Sequence, residues 1–387
     1  MIDQISQVMY LPLHPRLPGR FGRRVQLLAL LLSAGAVSLA FLASPARAGQ
    51  DRADRRLQQR LDEANRREAE VLVNLVDSAA AGEPVPSDFS MSWRHDFLKA
   101  QVGTFVPFVL TIEGTGRRAG RALMYVRAAR RREPESRPPA SERGRGRQER
   151  YAFDAIFPVA WDAGGGRLRI ARGFSVPAGE YDIYVALRER SPDVGAPEGT
   201  GATDELRAGV LRRSLGVPDF WSGEFATSTV MLAERIELLA RPLSADEALE
   251  RPYVIGLNDV RVAFDSTFRQ DGELIVVFVI YNPTLSPGGD FEVQVDYHVF
   301  RRAAAGQTEA SAAREGERYI TRTDPQRFNR RTLGPGVEVD GEHPMMAGQG
   351  ILLSSLDPGE YRLGITVIDL LSGQKLARDV IFRIAGS

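Results

Sequence analysis

Beyond residue 86 the apolar residues either alternate with polar ones or form short unbroken runs, and clusters of Gly, Pro, Asp and Ser separate the runs. Period-2 alternation and brief apolar runs between turn residues predict β-strands. A first set is predicted at 104–112 (TFVPFVLTI), 121–129, 151–161, 166–174, 181–189, 208–217 and 226–239. A second set is predicted at 253–264, 273–282, 290–300, 345–353, 361–369 and 375–384. No segment of helical period separates strands within either set. The expectation is therefore mainly β, two tandem immunoglobulin-like antiparallel sandwiches, rather than βαβ units.

Two stretches have helical grammar. Over 51–80, Leu57, Leu61, Ala64, Leu72 and Leu75 fall near one face, and Gly82 and Pro84 end the pattern. Such a stripe suits a helix packed on a sandwich or a solvated spacer. A coiled-coil or partner-binding helix would need a stripe that Arg67 and Glu68 do not interrupt. Later, Ser244 and Glu247 have the spacing of a capping box, and Pro252 closes the short helix it opens. The expected order is a helical extension at 49–85, a first sandwich at 86–240, a linker with a short helix at 241–252, and a second sandwich at 253–387.

One local motif occurs twice. PAGEYDIYVAL begins at Pro177 and DPGEYRLGITV at Asp357. Immunoglobulin-type sandwiches place a tyrosine where the chain turns into strand F, and its hydroxyl bonds backbone a few residues upstream. Tyr181 and Tyr361 are predicted to be these corner tyrosines, with Ile183 and Leu363 pointing inward two residues later. The length remaining after each agrees, since one strand, a connection and one further strand follow. A bare turn into any strand would account for Pro-Gly-Glu alone. The turns are expected to differ, type II at 357–360 with Gly359 at the positive φ and type I at 176–179.

Ahead of all this, Arg16, Arg20, Arg23 and Arg24 precede an apolar stretch from Leu27 to Ala43, and Ala46 and Ala48 sit in an A-x-A arrangement. That layout predicts a signal peptide at 1–48 and a mature start near Gly49. Export to the periplasm or the medium is expected, with membrane contact only through the signal segment if it stays uncleaved. The chain of 387 residues has no cysteine, which excludes disulfides, thiolate metal sites and thiol nucleophiles. Formal charge is zero, so no global field draws the protein to nucleic acid or anionic lipid.

The search for chemistry is mostly negative. No G-x-S-x-G, H-E-x-x-H, P-loop or dinucleotide fingerprint is present. His95 and Asp96 are adjacent and diverge on most backbones. Catalytic, cofactor and metal residues are therefore expected to be absent. The strongest anomaly is arginine-rich: Arg117, Arg118, Arg121, Arg127, Arg130, Arg131 and Arg132 lead into PESRPPASERGRGRQER. Residues 130–150 read as a disordered insertion in the first sandwich, and the alternative is a basic arm for an acidic partner. Arg117, Arg118, Arg130, Arg131 and Arg132 are candidate partner contacts. Phe220, Trp221 and Phe225 of VPDFWSGEF are either a binding platform or an inter-sheet or inter-domain plug.

The stretches WRHDFLKAQVGTFVPFVLTI, VPAGEYDIYVALRER, GVPDFWSGEFATSTVMLAERIE, RPYVIGLNDVRVAFDSTFRQDGELIVVFVIYNP and TDPQRFNRRTL together resemble uncharacterised exported proteins of acidobacteria and related bacteria. Parts of that group accompany von Willebrand-related or GWxTD-type sequences. The resemblance implies two β-sandwich modules behind a signal peptide and supplies no activity. The chain has neither an intact metal-ion-dependent adhesion motif nor the GWxTD pentapeptide, so no functional residue is carried over. The expectation is an exported envelope or extracellular binding and assembly protein, without catalysis of its own, that meets an envelope protein or a glycan. A hydrolase, or its accessory domain, with a site of dispersed Asp, Glu and His is the alternative.

Overall fold

The computed structural model of the chain describes residues 65–114, 120–131, 151–162, 166–190, 206–302, 314, 316–334, 339 and 343–386. The signal segment, the start near Gly49, Leu57, Leu61 and Ala64, most of the insertion, and Arg117, Arg118 and Arg132 lie outside them.

Helix α1 covers 65–81. The first sandwich follows as β1 (Ser90–His95), β2 (Leu98–Lys99), β3 (Thr104–Glu113), β4 (Gly120–Arg130), β5 (Phe153–Trp161), β6 (Arg167–Val176), β7 (Gly179–Glu189) and β8 (Ala208–Val217). β3 carries β1 and β2 on one edge and β6 on the other, and the facing sheet runs β5-β4-β7-β8, all antiparallel. In immunoglobulin lettering these are sheets A-B-E and C′-C-F-G. β1, read from SMSWRH, was not expected from the sequence. Its alternation is short, and four of its six residues are polar.

The second sandwich comprises β9 (Ala226–Thr227), β10 (Met231–Leu238), α2 (Ala245–Glu250), β11 (Val254–Ile255), β12 (Asn258–Val262), β13 (Thr267–Arg269) and β14 (Glu273–Tyr281). It continues with β15 (Val293–Arg302), β16 (Glu317–Arg322), β17 (Gln326–Phe328), α3 (Arg330–Leu333), β18 (Met345–Leu352), β19 (Gly359–Asp369) and β20 (Lys375–Ala385). One sheet orders β11-β12-β10-β14-β18, and the other β13-β20-β19-β15-β16, with β13 parallel to β20. The arrangement is again A-B-E against C′-C-F-G, enlarged by the β11–β12 hairpin.

This pairing corrects one boundary. Residues 226–239 were expected to complete the first sandwich, but Met231–Ala233 pair with Ile275–Val277 of β14, and Ala226–Thr227 with Ile280–Tyr281. They are strand A of the second sandwich. The single strand expected at 253–264 is the hairpin β11–β12, bent at Gly256 with φ 63°. The capping box is present, the Ser244 hydroxyl accepting from the Glu247 amide and the Glu247 carboxylate from the Ser244 amide. Helix α2 belongs to the excursion between β10 and β11, and its Leu249 packs against the first sandwich's core.

Each sandwich has its own apolar core, and a third apolar layer joins them. In β14, Leu274, Val276, Phe278 and Ile280 face the second core, while Ile275, Val277, Val279 and Tyr281 face the first sandwich. In β3, Val106, Phe108, Leu110 and Ile112 face the first core, and Phe105 and Val109 meet the junction. The unbroken apolar run ELIVVFVIY has this cause, since a strand buried on both faces needs no polar alternation. The two A-B-E sheets thus lie back to back. On the far side of the first sandwich, Leu72 and Val76 of α1 pack on Leu123, Tyr125, Tyr184 and Ala186. The result is five layers, helix and four sheets.

Both tyrosine corners are present. The Tyr181 hydroxyl donates to the Pro177 carbonyl at 2.8 Å, and the Tyr361 hydroxyl to the Asp357 carbonyl at 2.6 Å. Ile183 and Leu363 are buried in the respective cores. The turns do not differ as expected. Gly179 and Gly359 have φ of 142° and 156°, so Gly359 does not take the value near 80° that a type II turn requires. A second shared device explains the likeness. Arg130 pairs with Tyr181 across β4–β7, Arg301 pairs with Tyr361 across β15–β19, and each guanidinium lies over the glycine. Arg130 donates to the Ala178 carbonyl at 3.3 Å and Arg301 to the Pro358 carbonyl at 3.0 Å.

Candidate functional site

An open cleft of about 1000 Å³ lies where the sandwiches meet. Four distant segments build it: the end of β1 (94–97), Glu180 of β7, the crossing from β8 to β10 (216–230), and the middle of β20 (378–380). The crossing is pinned on both sides. The Thr229 amide donates to the Phe97 carbonyl at 3.1 Å, while the Phe97 amide donates to the Thr229 hydroxyl at 2.9 Å. Phe220 inserts between the sandwiches, with its ring 4.8 Å from that of Tyr281, whose hydroxyl accepts from the Lys99 amide at 3.0 Å. Of the two sequence readings of Phe220, the plug is the one its surroundings describe.

Trp221 sits at the rim, 42% exposed, and its indole N–H is shared between the Ala100 and Gly103 carbonyls at 3.1 and 3.2 Å. The Lys99 ammonium stands 3.8 Å from its ring centre, a cation–π contact. Gly103 has φ 74°, and a β-carbon there would lie 2.5 Å from the Val176 carbonyl oxygen, so only glycine fits this turn.

His95 and Asp96 both reach the cleft wall but turn apart. His95 Nδ1 accepts from the Trp93 indole at 3.0 Å, which leaves the proton of the neutral ring on Nε2, and burial lowers its pKa. The Asp96 carboxylate is buried and accepts from the Tyr253 hydroxyl at 2.9 Å, and burial holds its pKa above the usual carboxylate value. No hydrogen bond links the two, so they do not form a base and its orienting acid. Among the described residues, no three His, Asp or Glu side chains come together as metal ligands would.

The far wall is polar. Arg378 on β20 donates to the Thr227 hydroxyl at 2.9 Å and to the Ala377 carbonyl at 2.9 Å, and burial lowers its pKa. Glu180, Asp219 and Glu224 also line the cleft. None of these three has an ion-pair partner among the described residues.

The arginine-rich stretch is partly structural. Arg130 serves the corner described above. Arg131 donates to the Asp182 carboxylate at 2.8 and 3.0 Å, which together with Arg212 lowers the Asp182 pKa. Arg127 is buried beneath α1 at 2% exposure, donating to the Tyr125 hydroxyl at 3.0 Å and to the Asp77 carboxylate at 2.6 Å. It lines a smaller recess of about 420 Å³ with Tyr151 and Tyr184. Arg130 and Arg131 are thus occupied within the first sandwich and are not brought to the cleft. The cleft itself carries no sequence signature, because its four segments come together only in the folded chain.

No protein-family model matches the chain, and no curated protein matches it. Among solved structures, red sea bream transglutaminase is 10% identical with a TM-score of 0.20, over 80% of this chain and 33% of that one. Escherichia coli alpha-2-macroglobulin activated by porcine elastase is 10% identical with a TM-score of 0.21, over 78% of this chain and 24% of that one. A structure titled BspA_C_WT is 11% identical with a TM-score of 0.21, over 75% of this chain and 99% of that one. The chain spans about a third of the transglutaminase and a quarter of the macroglobulin it is similar to.

Proposed function

We propose that this is an exported envelope protein whose task is binding, with the cleft between the sandwiches as the seat of its partner. The observation that carries the reading is the cleft's construction. A recess of about 1000 Å³ is framed on both sides by sheets that share one apolar junction. Binding walls fixed in this way lose little conformational entropy when a ligand arrives. Export rests on the basic, apolar and A-x-A layout of residues 16–48. The hydrolase reading is disfavoured by Asp96, whose carboxylate faces Tyr253 and not His95.

The test is site-specific photo-crosslinking in the native host. A crosslinker at Ser222 inside the cleft is compared with one at Ser372, in the turn between β19 and β20. The expected result is one dominant adduct from Ser222, whose purified partner loses affinity for a Glu224→Arg variant. Equal adducts from both positions, or an affinity that Glu224→Arg leaves unchanged, would overturn the cleft as the seat. Cytoplasmic retention of the full chain in cell fractionation would overturn export.

A further inference from the structure

We infer that the partner enters the cleft as an extended cationic peptide segment and adds as a strand to the free edge of β20. This rests on the cleft reading above and goes further by naming what fills it.

The geometry begins with which way β20 points its backbone. At the hairpin the Asp369 amide donates to the Gln374 carbonyl at 2.9 Å, and farther along the Arg383 amide donates away from β19 to the Ser266 carbonyl at 2.8 Å. In an antiparallel pair, successive residues direct both backbone groups alternately toward and away from the partner. Both bonds therefore assign the even residues of β20 to the β19 ladder and the odd ones to the opposite edge. β13 covers that edge only at Arg383–Ala385. Ala377, Asp379 and Ile381 face outward beyond its reach, and only the Ala377 carbonyl is capped, by Arg378. The N–H and C=O groups of Asp379 and Ile381 have no partner among the described residues.

An edge of this kind is a template for another strand, and proteins usually blunt it with charged side chains, proline, a bulge or a covering loop. Here Lys375, Asp379 and Arg383 are the exposed charges along β20. β20 has neither proline nor bulge, its pairing with β19 being continuous from Gly359↔Ile384 to Ile368↔Lys375. Ile381 is 44% exposed beside the edge. A peptide laid here would gain main-chain hydrogen bonds from β20 and side-chain contacts from the cleft walls.

Charge selects its chemistry. Glu180, Asp219 and Glu224 line the cleft without ion-pair partners among the described residues. The two cleft guanidiniums already donate to protein oxygens, Arg94 to the Phe264 carbonyl at 2.9 Å and Arg378 to the Thr227 hydroxyl and the Ala377 carbonyl. Bonds to neutral oxygens leave both guanidiniums charged, but the three carboxylates outnumber them, so the lining's balance is negative and the complementary strand carries Arg or Lys at alternate positions.

The experiment uses the full mature chain and a fluorescein-labelled decapeptide of alternating valine and arginine, read by fluorescence anisotropy. The controls are the valine–glutamate peptide and a valine–arginine peptide N-methylated at alternate residues. Saturable binding is expected, at least tenfold tighter than either control. Ile381→Pro should weaken it at least tenfold with the Tm little changed, because the Ile381 N–H lies outside the β19 ladder and edge strands tolerate proline there. Glu224→Arg should weaken it as well. Binding that survives both Ile381→Pro and N-methylation overturns strand addition. If that binding is nonetheless lost in Glu224→Arg, the cleft reading stands alone, and if Glu224→Arg has no effect either, both fall. Should Ile381→Pro not fold, the N-methylated peptide decides by itself. Dimerisation in sedimentation velocity that Ile381→Pro abolishes would also overturn the inference, giving the edge to a second copy.

Discussion

Tyr361→Phe removes one hydroxyl and leaves the ring in place. That ring is 1% exposed and stacked on Phe382 with 5.3 Å between centroids, so no cavity opens. The loss is the 2.6 Å bond to the Asp357 carbonyl. Asp357 is itself exposed, so water can take the hydroxyl's place. The cost should therefore be that of a net hydrogen bond, about 0.5–1.5 kcal/mol, without the further penalty of a dry, orphaned carbonyl. Tyr181→Phe follows the same arithmetic, since Pro177 is exposed too and Arg130 remains over the turn. The two corners lie in different sandwiches, so the double variant should lose about the sum, roughly 1–3 kcal/mol. Tyr361→Ala would instead empty the site and cost roughly 3–5 kcal/mol. Urea denaturation followed by circular dichroism and tryptophan fluorescence measures all four, with unchanged m-values confirming that only stability moved. Losses below about 0.3 kcal/mol in both phenylalanine variants would show that the hydroxyls clamp nothing. A loss above about 3 kcal/mol would show that water does not reach the freed carbonyl.

Three further outcomes follow from other parts of the molecule. The shared apolar junction should make the wild type unfold in one transition, and Val277→Asp, which buries a charge between the sandwiches, should split calorimetric unfolding into two. Arg362 and Glu317 form an ion pair with side chains only 6% and 7% exposed, so Arg362→Met should cost roughly 3–5 kcal/mol at neutral pH by stranding the carboxylate. The Arg362 hydrogen bonds hold the Glu317 pKa below its ordinary 4.5. The pair's contribution is thus complete above that value and lost as pH falls through the lowered one, and Arg362→Met should flatten this acid limb of a stability–pH profile. Gly103→Ala places a methyl group against the Val176 carbonyl at a positive φ, and a Tm drop corresponding to more than about 1 kcal/mol is expected.

What the sequence discloses depends on how local the cause is. The corners were readable because Pro, Gly, Glu and Tyr act within five residues of one another, and the capping box at Ser244 was readable for the same reason. The arginine that completes each corner is not legible in the sequence, because Arg130 is one of several arginines in a run and its pairing with Tyr181 comes from a strand about 50 residues away. The run ELIVVFVIY announces burial on both faces, yet nothing in it says that Val277 and Val279 meet the first sandwich and not a further sheet. Strand A was misassigned since the crossing at 218–225 carries no change of composition, and the more conspicuous helix signal lies after β10. The cleft was unreadable in principle, as its walls come from residues near 95, 180, 220 and 379.

The back-to-back packing of the two A-B-E sheets also sets a length. Sheets stack at about 10 Å, so α1 and the outer surface of β15, β19 and β20 are held roughly 40 Å apart. No hinge separates them, because the layer between is side-chain core and not linker. Whatever rests on the helix side and whatever rests on the far sheet are therefore spaced by the stacked layers between them.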